Sequence, residues 1–159
     1  MNYNGYSDTV ECVKSILDCD YSNYQIILVD NASKDAAAIK NDFFLNVHCE
    51  IFYSNINNGF LDGNNIAIKN CEKYNPDYVL LLNNDTVVKK NFLNKLVDTA
   101  EHDNNAMIVT GGINYYYDKE KSWYSHGNYN KTTGYTTMIK KRGGTVIHLH
   151  TRLHFPQVV

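Results

Sequence analysis

Four short polar clusters hold the residue types with which this chain could do chemistry. They are Asn2-Tyr3-Asn4-Gly5, Asp30-Asn31-Ala32-Ser33, the stretch from Asn57-Asn58-Gly59 to Asn65, and Asn83-Asn84-Asp85. A carboxamide donates and accepts hydrogen bonds at once, so it suits sugar hydroxyls and the edges of a heterocyclic base. Glycine lets a backbone come close to a ligand, and a carboxylate can hold a hard divalent cation. Taken together, the clusters suit a ligand with many hydroxyls, a pyrophosphate and a base.

Such residues act together only if the fold gathers them. Residues 25–30 and 78–82 are almost wholly apolar runs that close on polar residues. That is the pattern of strands buried on both faces of a parallel sheet. Residues 50–54 and 107–110 read as two further strands. A first helix is expected from Ser7, Asp8 or Thr9 as its cap, with Val10, Val13, Ile16 and Leu17 on one face. Asp35 is expected to cap a second helix running through Ala36 and Ile39 toward Phe43 and Phe44. A loop over residues 55–65 then leads to a helix with Ile66, Ile68 and Cys71, which Asn75-Pro76-Asp77 breaks. Phe92, Leu93, Leu96, Val97 and Ala100 mark the face of a last helix. The alternation predicts a three-layer α/β domain with a mostly parallel sheet and a ligand beyond the C-terminal strand ends. After Gly111-Gly112 the chain turns to tyrosines and turn residues, which predicts hairpins or covering loops.

The bulk properties narrow the class. A chain of 159 residues is long enough to bury a core in one domain. Its formal charge of -2 arises from 15 basic and 17 acidic residues scattered along the chain without a long run of one sign, which argues against nucleic acid or an anionic membrane as partner. Cys12, Cys19, Cys49 and Cys71 match neither a zinc knuckle nor a C-x-x-C redox pair, so reduced thiols and a cytoplasmic location are expected. No apolar stretch approaches the roughly 18 residues that a membrane span needs. The N-x-S/T triplets at Asn31, Asn84 and Asn130 carry no weight in so Asn-rich a chain.

The order and spacing of the motifs resemble those of family 2 glycosyltransferases, above all the rhamnosyltransferase-like branch. The likeness runs through Asn2-Tyr3-Asn4-Gly5, residues 27–35, residues 58–68 and Leu81-Leu82-Asn83-Asn84-Asp85. It continues in residues 111–116 and 121–127, and covers residues 2–142. The resemblance implies a GT-A, nucleotide-diphospho-sugar transferase-like fold that transfers a sugar with inversion to a glycan or lipid-linked acceptor. A dTDP- or UDP-linked sugar is the implied donor, with dTDP-rhamnose the leading choice. By the same analogy Tyr3 and Asp30 contact the base and ribose, and Asn31 belongs to the nucleotide-sugar site. Gly59 and Asn64 belong to a loop that closes over the diphosphate or ribose. Asn83-Asn84-Asp85 stands where the family places its metal motif, so Asn84 and Asp85 join the site and Asp85 is the carboxylate for Mg²⁺ or Mn²⁺. Plainer roles compete with these: Asp30 as the cap of its turn, residues 58–65 as a turn and helix cap, Asp85 as a solvated turn residue.

The chain also departs from the family pattern. The family's acceptor half, with its general base, has no counterpart, and Asp118 and Glu120 read as solvated hairpin charges. Only Met1 precedes Asn2, where the family has completed a central strand. The expectation is therefore a donor-binding part over residues 1–142 and a divergent tail over 143–159, shortened at both ends. The complete protein is expected in the cytoplasm or peripherally at the inner face of the membrane. The alternative is a catalytically incompetent nucleotide-sugar-binding module. A nucleotidyltransferase is disfavoured because Asn4-Gly5-Tyr6-Ser7 lacks a basic, glycine-rich loop. In the tail, His148, His150 and His154 lack a second cluster to complete a zinc site, and residues 145–149 could pair with the sheet.

Overall fold

A computed structural model describes residues 1–41, 48–102, 108–124, 126–130, 132–139 and 148–149. It forms two compact units, Met1–Lys90 and Asn91–Val159.

In the first unit the elements are α1 (Tyr6–Leu17), β1 (Ile26–Asn31), α2 (Ala36–Asn41), β2 (Cys49–Ser54) and α3 (Gly59–Cys71), which runs into a 3₁₀ turn at Glu72–Tyr74. Strands β1 and β2 are parallel, with Ile26 opposite Cys49 and Asn31 opposite Ser54. The apolar run Ile-Ile-Leu-Val explains β1: its branched side chains are stiff and fill both faces of a pleated sheet. Val13 of α1, Leu28 of β1 and Ile39 of α2 make the buried core, ringed by Tyr6, Leu17, Ile26, Cys49 and Ile51. Each such burial is worth about 1.5–3 kcal/mol. Helix α3 lies against β1, and a Cβ added at Gly63 would collide with Met1 Sδ. Asn75, in the left-handed region at φ 47°, stops the 3₁₀ turn. Lys73 and Tyr74 from that turn both donate to the Glu50 carboxylate, fastening it to β2.

The other edge of β1 carries one residue. The Asn2 N–H donates to Val29 O at 2.7 Å and the Asn31 N–H to Asn2 O at 2.9 Å, a single parallel bridge. Residues 78–82, expected as a buried strand, form none, and Tyr78, Val79, Leu80 and Leu81 are all exposed. A strand needs a ladder of backbone bonds with a neighbour, and among the described residues no ladder includes this segment. The segment that follows lies instead along α1. Cys12 Sγ donates to Asn83 O at 3.6 Å, the Val88 N–H to Ser15 Oγ at 3.1 Å, and the Asp20 N–H to Lys90 O at 2.9 Å.

Two other expectations change. Helix α1 begins at Tyr6 with Gly5 as its cap residue and no side-chain cap bond, so Ser7, Asp8 and Thr9 lie inside it. The Tyr6 N–H donates across the fold to Asp35 Oδ2 at 3.0 Å. Asp35 thus serves α1 with its side chain and α2 with its carbonyl, which accepts from the Ala38 N–H. The expected loop over residues 55–65 is also shorter, because α3 already starts at Gly59.

The second unit holds α4 (Phe92–His102) and short strands β3 (Val109–Thr110), β4 (Ile113–Asn114), β5 (Ser122–Tyr124), β6 (His126–Tyr129), β7 (Thr136–Ile139) and β8 (His148–Leu149). The aromatic region forms the expected hairpins, β4 with β5 and β6 with β7, both antiparallel. β3 was expected in a parallel sheet; it pairs antiparallel with β8 from the tail. The expectations for Phe43, Phe44, Met107, His150 and His154 fall outside the described residues. No helix among the described residues is long and apolar enough to cross a membrane.

Candidate functional site

The site is built around the side chain of Asn2, which is fully buried where β1 ends. Its Nδ2 donates to Asp30 Oδ2 at 2.8 Å and to Ser33 Oγ at 2.9 Å, using both amide hydrogens. Its Oδ1 accepts from the Gly5 N–H at 3.1 Å and from Thr9 Oγ1 at 2.9 Å, and lies 3.4 Å from Asn84 Nδ2. The amide can sit only this way round, since a flip would turn its oxygen toward the Asp30 carboxylate. Asn84 Nδ2 completes the cluster by donating to Thr9 Oγ1 at 2.9 Å. Gly5 must lack a side chain here: a Cβ would come within 3.0 Å of Asn84 Nδ2 and 3.4 Å of Asn2 Oδ1.

Two loops close over this hub. Asp30 Oδ1 accepts from the Ser33 N–H three residues on at 3.0 Å, which closes residues 30–33 into a tight turn. Ser33 Oγ also accepts from the Asn4 N–H, and Asn4 Oδ1 accepts from the Lys34 N–H at 2.8 Å. Asn4 and Ala32 both take positive φ, 53° and 63°. Asn tolerates that region, whereas for Ala it costs about 1–2 kcal/mol, sustained by the surrounding bonds.

Of the residues expected at a ligand site, Asp30 is 1% exposed and has both carboxylate oxygens engaged within the chain. Asn31 is equally buried: its Nδ2 donates to Asn57 Oδ1 at 2.7 Å and Gly59 O at 3.1 Å, and its Oδ1 accepts from the Asn58 N–H. That clasp ties the end of β1 to the start of α3. Gly59 sits at the first turn of α3 with φ 79°. Asn64 lies within the helix and donates to Phe60 O one turn back. Tyr3 is half exposed, and Asp85 is exposed beside the anchored Asn84. The polar ends of β1 and of the 83–88 segment therefore meet, with Asp30 and Asn31 as floor and Tyr3 and Asp85 toward solvent.

Asn2, Thr9, Ser33 and Asn57 hold this arrangement, and the sequence reading gave none of them a role of its own in the site. Asn2, Ser33 and Asn57 lay inside the quoted clusters, so their type was a usable signal. Thr9 had none beyond its helical spacing from Cys12 and Ser15. Burial raises the Cys12 thiol, keeping it protonated and able to donate to Asn83 O. Cys49 is pushed up to about 12 by burial and by Glu50, so neither thiol is a nucleophile at neutral pH.

For a cation, the donor set is sparse. No group of three or more His, Cys, Asp or Glu capable of holding a metal exists among the described residues. A lone exposed carboxylate fits a hard cation that gets most of its ligands from a bound diphosphate and water.

Comparison with known proteins bears on the whole chain. It matches the family model described as Glycosyl transferase family 2 over residues 1–155, which includes most of the segment after residue 142. It is 30% identical over 124 residues to Glycosyltransferase GlyG of Streptococcus pneumoniae serotype 4, an alignment covering 77% of this chain and 40% of that protein. The chain thus spans well under half the length of this curated relative. No solved structure matches it. A family match of that extent assigns the protein to glycosyl transferase family 2.

Proposed function

We propose that this chain forms the donor side of a glycosyltransferase, binding a nucleotide diphosphate sugar where β1 ends and the 83–88 segment begins. The observation that carries the reading is the direct connection of those two ends, Asn84 through Thr9 and Asn2 to Asp30. Two polar stretches far apart in sequence, joined through the side chains of Thr9 and Asn2, support one site rather than two. Tyr3 is the exposed aromatic for the base and ribose above the Asp30 floor. Asn31, Gly59 and Asn64 set the start of α3 against the end of β1. Asp85 is the carboxylate that would hold Mg²⁺ or Mn²⁺, whose charge would offset that of the leaving nucleoside diphosphate.

In the whole protein, the reading continues, the sugar passes with inversion to a glycan or lipid-linked acceptor. A dTDP- or UDP-linked hexose is the donor class, with a rhamnosyltransferase-like specificity favoured by the motif spacing. The test is titration of the chain with dTDP and UDP, with and without Mn²⁺. Binding strengthened by Mn²⁺ in the wild type, and no Mn²⁺ gain in Asp85→Ala, is the expected outcome. An unchanged Mn²⁺ gain in Asp85→Ala removes Asp85 from the site, and no binding of either nucleotide overturns the reading.

A further inference from the structure

Helix α1 turns three polar side chains toward the segment that bears Asp85. Thr9, Cys12 and Ser15 follow one another at helical spacing, and each bonds that segment: Thr9 Oγ1 to Asn84 Nδ2, Cys12 Sγ to Asn83 O, Ser15 Oγ to the Val88 N–H. Cys12 and Ser15 meet backbone groups, which any sequence in the segment would supply. Thr9 alone meets a side chain, that of the residue next to Asp85, and it is 1% exposed within a helix.

The chemistry of the Thr9 hydroxyl makes the link directional. A hydroxyl has one hydrogen, and Thr9 spends it on Asn2 Oδ1 at 2.9 Å while its lone pair takes the Asn84 amide at 2.9 Å. Asn2 in turn donates to the Asp30 carboxylate at 2.8 Å. The relay runs one way, from Asn84 through Thr9 and Asn2 to a negative charge, so each bond polarises the next.

We infer that Thr9 is a positioning residue for the cation-assisted step of ligand binding: its hydroxyl couples the Asp85-bearing segment to the Asp30 end of β1. The inference rests on the reading of Asp85 as the cation's carboxylate and adds a residue of α1 that does not itself touch the ligand. Its role is to hold Asn84, and hence the backbone from which Asp85 projects, at a fixed distance from the floor of the site.

Thr9→Val keeps the branched shape and removes the hydroxyl; Thr9→Ser keeps the hydroxyl. The Mn²⁺-dependent gain in UDP affinity is expected to fall by roughly three- to tenfold in Thr9→Val, the size of one hydrogen bond. It should recover in Thr9→Ser. In an Asp85→Ala background, Thr9→Val should change UDP affinity no further, because the group it positions is gone. Independently of any ligand, the Asn84 side-chain amide protons should exchange slowly in the wild type and in Thr9→Ser, and faster in Thr9→Val, where only the longer contact to Asn2 Oδ1 remains.

An equal Mn²⁺ gain in folded Thr9→Val and wild type overturns the inference while leaving the proposed function standing. A further loss from Thr9→Val in the Asp85→Ala background overturns it too, since the effect would then be general. Absence of binding of both UDP and dTDP to the wild type overturns the underlying reading and this one with it; if dTDP alone binds, the same comparisons are read with dTDP. If Thr9→Val does not fold, the wild-type exchange measurement decides: Asn84 amide protons exchanging as fast as those of exposed Asn55 overturn the relay.

Discussion

Asn2→Ala should be among the most damaging single changes in the first unit, and the structure sets the size of the effect. The substitution removes the donor to Asp30, a charge-assisted bond worth about 1.5–3 kcal/mol. It also strips the Thr9 hydroxyl and the Gly5 N–H of their acceptor, and Asn84 of a second contact. Asp30 cannot turn to water in compensation, because it is 1% exposed. Allowing about 1 kcal/mol for each further buried group left short, the loss comes to roughly 3–5 kcal/mol. With a urea slope of about 1–3 kcal/mol per molar, the unfolding midpoint should drop by about 1 M or more. Asn2→Asp sharpens the test at nearly constant volume. It replaces the donor by an acceptor where the donor stood 2.8 Å from Asp30 Oδ2, so it should cost at least as much as Asn2→Ala. Urea unfolding followed by circular dichroism reads both effects. A shift below about 0.5 kcal/mol for Asn2→Ala, the range of an ordinary surface change, would refute the account of Asn2 as hub.

Three further outcomes follow from named contacts. Asp35→Ala takes the partner from the first N–H of α1, and since Asp35 Oδ1 is buried without a bond of its own, the net loss in urea stability should be modest, about 1 kcal/mol. Gly59→Ala meets no atom within 4 Å, so only the strain of φ 79° acts, about 1 kcal/mol by the same assay, and a larger loss would point to a contact not seen here. The hydrogen bond from Lys73, helped by that from Tyr74, holds the Glu50 carboxyl below the usual carboxylate range. A group depressed on folding stabilises above its unfolded pKa and loses that contribution as pH falls through its folded one. The stability gap between wild type and Glu50→Gln should therefore be present at neutral pH and close in acid; a gap constant with pH would sink this reading.

Much of the first unit was legible in the residues because local rules and tertiary demands agree there. The branched apolar run at 26–29 closing on Asp30 reads as a strand in any context, and Asn75-Pro76 stops a helix whatever surrounds it. The polar clusters were equally visible, because buried amides and carboxylates are too costly to place at strand ends without a use. What the residues alone could not show was the partner each would choose. Residues 78–82 have the composition of a buried strand, yet strand formation is a property of a pair, and no described residue offers them a ladder. The division of roles within the clusters was likewise tertiary. Asp30 and Asp85 look alike as letters, but one is locked beneath Asn2 and Ser33 while the other stands in solvent. Thr9 is the plainest case: as a letter it was a helix cap, and only the approach of Asn84, 75 residues away, turns its hydroxyl into a link. Local sequence determines which groups are present and which backbone shapes are cheap; distance between remote groups is set by packing, and hydrogen bonding, which decays within an ångström of its optimum, responds to that distance.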